Sequence, residues 1–214
     1  MTNKVITISR QFGSGGKEIG IRVAKELGIP FYDKELVKQV SLETGFDPKF
    51  VEERGEFAVN ANPLTWFLDH GAGTPGVMNG LNATDFLWTI QREVILRLAD
   101  QEPCVIVGRC SDYILGEDPA CIKVFIHADM ASRIDRCVAE YHIPSDNMES
   151  RIIQMDRGRA NYYNYYTGHT WGEMRRYDLT LNSSITGING AVEMIAQLVR
   201  LRSAQLDQAP TQAP

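Results

Sequence analysis

The stretch ITISRQFGSGGKEIG, residues 6–20, decides the fold. A β-branched run ends at Ser9, a glycine-rich turn follows, and an apolar stripe at Ile19, Val23 and Leu27 predicts a helix. A strand, a glycine turn and a helix together form an anion site, because backbone N–H groups point into the turn and the helix N-terminus carries partial positive charge. Glycine also lets phosphate oxygens approach the backbone. The stretch therefore predicts a site for a phosphorylated ligand.

The turn matches half of a known phosphate-binding pattern, G-x-x-x-x-G-K-[ST]. Gly16 and Lys17 fit its second half, and Lys17 would neutralise the β and γ phosphates of ATP. Gln11 stands where the first glycine belongs, and Glu18 stands where a Mg²⁺-binding hydroxyl belongs. The predicted phosphate-binding residues are Gly13, Ser14, Gly15, Gly16, Lys17 and Glu18.

Glu18 conflicts with a phosphate site, because a carboxylate near phosphates costs Coulomb energy unless a cation offsets it. Arg10 or Arg22 could supply that cation if Glu18 turns away from the site.

Two other interpretations of the turn stay open. It could be purely structural, or it could be a dinucleotide fingerprint, G-x-G-x-x-G, with Asp33 about twenty residues on for the ribose. The fingerprint fits less well, because Glu18 takes the place of its third glycine and Lys17 has no role in it.

Strands alternate with helices along the chain, which predicts an α/β fold with a parallel sheet. Strands are predicted at 4–9, 29–33, 104–108, 121–128 and 177–183. Helices are predicted at 34–44, 83–101, 131–141 and 189–202 and over most of 145–166, in addition to the helix that carries the apolar stripe and ends at Gly28. Residues 46–83, rich in Gly, Pro and Asn, predict a long loop with a helical turn. The end of the chain, 203–214, predicts a disordered tail.

Composition bounds the class of protein. The chain has 214 residues, 43% of them hydrophobic, and a net charge of −5, which suits one globular domain and gives no indication of nucleic-acid binding. No cysteine pair has C-x-x-C spacing, so no protein metal site is predicted. The first residues lack the pattern of a signal peptide, and no apolar run could cross a bilayer. We expect a cytoplasmic protein, and small anionic ligands remain possible because they need only a local basic pocket. The oligomeric state is not specified by these patterns.

The order of motifs resembles the cytidylate kinase-like family of P-loop proteins, from Val5 to about Leu201. The matching phrases are residues 6–20, LGIPFYDKELV at 27–37, VIVGRCSDYIL at 105–115, DRGRANYYNYYTGHTW at 156–171 and YDLTLNSS at 177–184. The resemblance implies a P-loop NTPase three-layer fold: one kinase domain, 1–202, with a five-stranded parallel sheet flanked by helices. It also implies a small acceptor-binding insertion at about 34–83 and a helical lid at about 145–176.

The same resemblance implies a function. ATP, with Mg²⁺, would donate its γ-phosphate to a nucleoside monophosphate, most plausibly CMP or dCMP, and the donor adenine would pass near YDLTLNSS. Two alternatives stay open. One is a kinase of another small metabolite. The other is a nucleotide-binding regulatory protein with little turnover, which is suggested by the carboxylate of Glu18 near the phosphates.

Three residues are expected to bind the acceptor: Asp33, Arg109 and Asp112. Asp33 ends the second strand at the ligand-binding edge of the sheet, where it could hold the acceptor or a Mg²⁺-bound water, or cap the next helix. The planar fork of Arg109 suits a monophosphate, and in the kinases this chain resembles an arginine there grips the acceptor phosphate. Arg109 could instead form a salt bridge to Asp112 or Glu117; Asp112 could orient it.

The predicted catalytic residues are Lys17, Arg157 and Arg159. Lid arginines suit phosphoryl transfer because negative charge gathers between donor and acceptor. On a helix, Arg157 and Arg159 point about 200° apart. Either Gly158 breaks the helix, or one arginine faces the nucleotides and the other pairs with Asp156.

The reserve candidates are Arg151, Arg175 and Arg176. The tyrosines at 162, 163, 165 and 166 are expected to serve packing.

Overall fold

Strands and helices alternate along the described part of the chain. The computed structural model describes residues 5–56 and 83–208, with side chains up to residue 206. The strands are β1 (Val5–Arg10), β2 (Phe31–Tyr32), β3 (Cys104–Val107), β4 (Cys121–His127) and β5 (Leu179–Asn182). The helices are α1 (Gly16–Leu27), α2 (Lys34–Thr44), α3 (Pro48–Arg54), α4 (Ala83–Gln101), α5 (Ser111–Ile114), α6 (Met130–Ala139), α7 (Met148–Thr167) and α8 (Ser183–Gln208), with a 3₁₀ turn at Met174–Arg176.

The five strands form one parallel sheet in the order β2-β3-β1-β4-β5. In the register, Ile8 of β1 lies beside Val107 of β3 on one side and Val124 of β4 on the other. The carboxyl ends of the strands therefore meet at one edge of the sheet, which is where ligands of open α/β sheets bind.

Two hydrophobic cores cover the two faces of this sheet. Because side chains alternate along a strand, Val5 packs into one core while Ile6 and Ile8 pack into the other. The first core joins the sheet to α2, α3 and α4, and the second joins it to α1 and α8. The predicted three-layer α/β fold with a five-stranded parallel sheet is confirmed.

The structure differs from the sequence prediction at several boundaries. Residues 48–54, expected in a long loop, form α3, which begins at Pro48 after the Asp47 side chain accepts a hydrogen bond from Lys49 N. Residues 203–208, expected in a disordered tail, are the last part of α8. A short first segment of α8, from Ser183, was not predicted; a kink at Gly187 separates it from the helix expected from residue 189. The rest of the predicted loop, 57–82, and of the tail, 209–214, lies outside the described residues.

Candidate functional site

The candidate site lies where β1, β2 and β3 end, and each strand delivers a different group to it. Residues 11–16, the glycine turn, follow β1, Asp33 follows β2, and Arg109 lies two residues after β3. This is the edge predicted from the alternation of strands and helices.

The glycine turn is compact and joins directly to α1. Ser14 donates from its backbone N–H and from its hydroxyl to the Gln11 carbonyl, at 3.3 and 2.8 Å. Gly15 has a φ of 77°, and a Cβ there would collide with the side chain of Ile188 on α8. The left-handed backbone conformation alone favours glycine here, since the Ile188 methyl lies at the end of a flexible side chain that could move.

Two arginines of α6 clamp the glycine turn, and sequence reasoning missed both. Arg133 Nε donates to the Phe12 carbonyl at 2.7 Å, and Arg136 Nη1 donates to the Gly13 carbonyl at 2.8 Å. Arg133 also pairs with Asp156 of α7, whose other carboxylate oxygen accepts from Phe12 N at 2.7 Å. The only signal in the sequence was their spacing of three on a predicted helix, which does not say what they contact.

One carboxylate joins the predicted phosphate lysine to the predicted acceptor arginine. Asp33 lies 2.5 Å from Lys17 Nζ through one oxygen and 3.2 Å from Arg109 Nη1 through the other. Burial alone would raise the pKa of Asp33, but Arg109 and Lys17 outweigh it and lower the pKa below its usual value. Asp33 occupies the N-cap position of α2 but makes no side-chain capping hydrogen bond, so its carboxylate serves the two cations instead.

Arg109 lies in a strained turn. Gly108, Arg109 and Cys110 all have positive φ, at 74°, 55° and 55°. The side chain of Arg109 is 2% exposed, and among the described residues no atom accepts a hydrogen bond from its Nε. Backbone conformations of this kind are retained where the surroundings hold them, commonly at functional sites.

Arg10, Arg109 and Arg159 gather around Glu56, and we call these four residues the arginine cluster. Both guanidinium nitrogens of Arg10 contact the Glu56 carboxylate, the longer contact being 3.0 Å, and Arg159 Nε lies 4.0 Å from it. Burial would raise the pKa of Glu56, but Arg10 and Arg159 lower it to about 2. Sequence reasoning missed Glu56, and considered Arg10 only as a partner for Glu18.

The lid arginines behave differently from one another. α7 runs without interruption through Gly158, so Arg157 and Arg159 point to different sides: Arg157 is exposed, and Arg159 is buried and donates to the Arg10 carbonyl at 3.1 Å. Asp156 was expected to pair with whichever of these two arginines faces away from the nucleotides. That expectation was wrong, because the Asp156 carboxylate pairs with Arg133 of α6. Burial, and then Arg10, lower the pKa of Arg159 to about 10.

The reserve arginines do not join the arginine cluster. Arg151 is exposed on α7. Arg175 and Arg176 line a separate groove of about 1190 Å³ together with Lys123 and Asp118, and Arg176 pairs with Glu173.

Asp112 does not orient Arg109 as expected. Its buried carboxylate accepts from the Tyr163 hydroxyl at 2.9 Å and from Ser9 Oγ at 3.4 Å, while Arg109 pairs with Asp33. Burial raises the pKa of Asp112, against the lowering effect of these hydrogen bonds. Strand β1 brings Ser9 to Asp112 from 103 residues away, which local spacing could not reveal.

Glu18 is turned toward Arg22, one of the two cations considered for it. Arg22 contacts Glu18 through one nitrogen and donates to Asn189 Oδ1 at 2.7 Å through the other, tying α1 to α8. A cavity of about 660 Å³ lies here, lined by Glu18, Arg22, Glu140 and residues 186–189. It adjoins the start of α8, where the sequence resemblance implies the donor adenine.

The described residues contain neither a candidate membrane-spanning helix nor a candidate metal cluster. Among the helices within 5–56 and 83–208, none combines the length and low charge that a membrane-spanning segment needs. In the same ranges, no group of three or more His, Cys, Asp or Glu side chains is arranged to hold a metal ion.

The parallel sheet with β1 at its centre, followed by a glycine turn and a lysine at the start of α1, defines a P-loop protein. Residues 5–185 match the cytidylate kinase-like family, and the chain belongs to that family. Family and fold together support a P-loop kinase, that is, a phosphotransferase. No curated protein matches the sequence significantly.

Solved structures share the fold at low sequence identity. An uncharacterized protein from Eubacterium ventriosum is 24% identical with a TM-score of 0.67, and the match covers 92% of this chain and 98% of that one. A protein from Thermus thermophilus is 15% identical with a TM-score of 0.54, covering 94% and 98%. A shikimate kinase from Bacteroides thetaiotaomicron is 17% identical with a TM-score of 0.51, covering 92% and 98%. At these identities the likeness shows the fold alone.

Proposed function

We propose that the protein transfers the γ-phosphate of ATP to a nucleoside monophosphate, with CMP or dCMP as the leading acceptor. One observation carries the proposal: Asp33 holds Lys17 at 2.5 Å and Arg109 at 3.2 Å. A cation suited to the donor phosphates and a cation suited to an acceptor phosphate therefore lie on opposite oxygens of one carboxylate. Membership of the cytidylate kinase-like family supports the reaction class.

Catalysis would come from alignment and charge, because phosphoryl transfer needs little covalent help from the protein. Amides of the glycine turn and Lys17 would bind the donor phosphates. Arg109 would bind the acceptor phosphate, and the buried Arg159 would stabilise charge that develops between the two. The cavity beside Glu18 and Arg22 would receive the donor base.

The residues present fit a magnesium ion that arrives with the nucleotide. Mg²⁺ usually keeps several waters and is bound by substrate phosphates plus one or two carboxylates, and it neutralises phosphate charge. Asp33, beside Lys17, offers one such carboxylate for a Mg²⁺-bound water. Glu18 is held by Arg22 and supplies no hydroxyl.

A coupled assay tests this proposal. The protein is incubated with ATP-Mg²⁺ and, separately, CMP, dCMP, UMP or AMP, and ADP is measured. ADP formation with CMP or dCMP supports the proposal, and its absence with all four acceptors contradicts it.

The role of Lys17 is tested in the same assay. We expect Lys17→Ala to reduce ATP-dependent turnover at least about 100-fold, because a positioned charge at the phosphates contributes several kcal/mol to transition-state stabilisation. Lys25→Ala, at the other end of α1, is the matched control and should change turnover by less than about twofold. Unchanged turnover in Lys17→Ala would remove this residue from the mechanism.

A nucleotide-binding regulatory protein with little turnover is the second candidate. Two observations favour it: Glu18 replaces the hydroxyl, and Glu56 already fills the arginine cluster. Measurable ATP binding by calorimetry with no ADP formation from any acceptor would select it. A kinase of another small metabolite stays a third possibility, tested by extending the acceptor panel to phosphorylated and hydroxylated metabolites.

A further inference from the structure

A buried carboxylate fills the middle of the arginine cluster. Glu56 contacts Arg10 through both of its oxygens and lies 4.0 Å from Arg159 Nε. It also lies against the backbone of Gly108, where a Cβ would collide with its Oε1. The Glu56 and Arg10 side chains are each 10% exposed. A bidentate pairing of this kind is the one that arginine makes with phosphate as well as with carboxylate.

Three guanidinium groups surround the one carboxylate of Glu56. Arg10 pairs with it directly, Arg159 Nε lies 4.0 Å from it, and Arg109 lines the same small space. Several guanidinium groups around one space favour an anion there.

One donor of the cluster also lacks a protein acceptor. Within residues 5–56 and 83–208, nothing accepts from the buried Nε of Arg109. That side chain lines the same small space as Glu56, Arg10 and Arg159. A buried donor of this kind normally has a partner, so a ligand acceptor is expected here.

The space left in the cluster is too small for a phosphate group. Its volume is about 10 Å³, room for at most about one water molecule. An anion can therefore reach these three guanidinium groups only if the Glu56 carboxylate leaves.

We propose that the Glu56 carboxylate occupies an anion subsite built by Arg10, Arg109 and Arg159, and that the phosphate group of the acceptor binds there by displacing it. This adds three residues, Arg10, Glu56 and Arg159, to the acceptor site, and it rests on the proposed function for the identity of the acceptor. Glu56 acts as an internal competitor, so the apparent dissociation constant for a phosphate varies inversely with the fraction of time for which Glu56 leaves the subsite empty.

Titration with inorganic phosphate tests the exchange. We expect Glu56→Gln to bind phosphate at least about tenfold more tightly than the wild-type protein, because the competing charge is gone. Glu43→Gln is the matched control: it removes the same charge from an exposed Glu–Arg pair between α2 and α4, so its affinity should stay within about twofold of wild type. Equal affinities in Glu56→Gln and the wild-type protein would overturn the proposal.

A second substitution locates the added binding, since phosphate can also bind the glycine turn. Adding Arg109→Gln to Glu56→Gln should return the affinity to the wild-type value. If the gain survives in the double variant, phosphate binds elsewhere and the proposal is wrong.

A conservative variant guards against misfolding, because Glu56→Gln leaves Arg10 buried beside a neutral side chain. Circular dichroism reports whether each variant folds. Glu56→Asp keeps the charge on a shorter side chain that reaches Arg10 less well, so its phosphate affinity should lie between those of wild type and Glu56→Gln. If Glu56→Gln fails to fold, no gain in Glu56→Asp would equally reject the exchange.

The titration contains no ATP, so its failure is distinguishable from failure of the proposed function. An unchanged phosphate affinity together with ADP formation from CMP rejects only the subsite. A tenfold gain without turnover of any acceptor supports the subsite and rejects only the kinase reaction.

Discussion

Arg109 combines a strained backbone with a buried, partly bonded side chain. A non-glycine residue in the left-handed region costs on the order of 1 kcal/mol, and Cys110 adds a second such residue. Contacts to Asp33 and to the Val107 carbonyl, at 3.2 and 3.4 Å, hold the guanidinium in place. These two contacts keep the guanidinium within the arginine cluster, on a backbone that is itself strained.

Arg109→Lys is expected to raise the KM for the acceptor about tenfold or more, with the KM for ATP within about twofold of wild type. Lysine keeps the charge and the same backbone penalty but loses the planar fork, so the change isolates bidentate binding. Steady-state kinetics with CMP and ATP varied in turn provide the measurement. Arg97→Lys, in the exposed pair with Glu43, is the control. An equal rise in both KM values would contradict the assignment.

Glu18 holds the position where the P-loop pattern has a hydroxyl. Glu18→Thr should lower the dissociation constant of ATP-Mg²⁺ about threefold to tenfold, because it removes a carboxylate and restores a magnesium-binding hydroxyl. Calorimetric titration with and without magnesium provides the check. A weaker affinity in this variant would mean that the carboxylate itself assists the metal.

Helix α7 helps α6 to hold the glycine turn, through Asp156. This carboxylate accepts from Phe12 N and pairs with Arg133, so α6, α7 and the turn form one connected unit. A helix predicted as part of a lid is thus bonded to the glycine turn.

Asp156→Asn should lower the stability by about 1–3 kcal/mol and weaken ADP binding, because the partly buried Arg133 loses its charged partner and the turn loses an anchor. Thermal unfolding and ADP titration measure the two effects. Glu149→Gln, in the exposed first turn of the same helix, is the control. Unchanged ADP affinity in a destabilised Asp156→Asn protein would show that the anchor is structural only.

Sequence patterns predicted the elements that carry strong periodicity or a glycine turn. The five strands, α1 and α4 follow from apolar runs and stripes, and the edge position of Lys17 follows from the order of elements. The contacts of the site were harder to predict, because Arg133, Asp156 and Glu56 act on residues 46 or more positions away. Helix α3 was missed because its seven residues begin with Pro48 and are followed at once by Gly55.

At the scale of the whole molecule, the buried Glu56 makes the free energy of unfolding depend on pH. Its pKa is about 2 in the folded protein against an ordinary 4.5, so the folded state favours the ionised form. The stabilisation is fully present above about pH 4.5 and is lost progressively as the pH falls toward 2.

The stability difference between wild type and Glu56→Gln should therefore shrink on acidification, by on the order of 3 kcal/mol between pH 6 and pH 2. Urea unfolding of both proteins across this range measures the difference. Other carboxylates such as Asp33 titrate in both proteins, so their contribution cancels. A difference that does not vary with pH would mean that Glu56 does not hold its charge pair in solution.

The position of Asp33 has one further consequence: in the proposed reaction, its two oxygens serve the cations of two ligand positions. A triphosphate that draws Lys17 away leaves Asp33 to Arg109, and a phosphate that draws Arg109 away leaves Asp33 to Lys17. The occupancy of each position is then felt at the other. By thermodynamic reciprocity, the factor by which the donor alters the equilibrium affinity for the acceptor must equal the factor by which the acceptor alters the affinity for the donor.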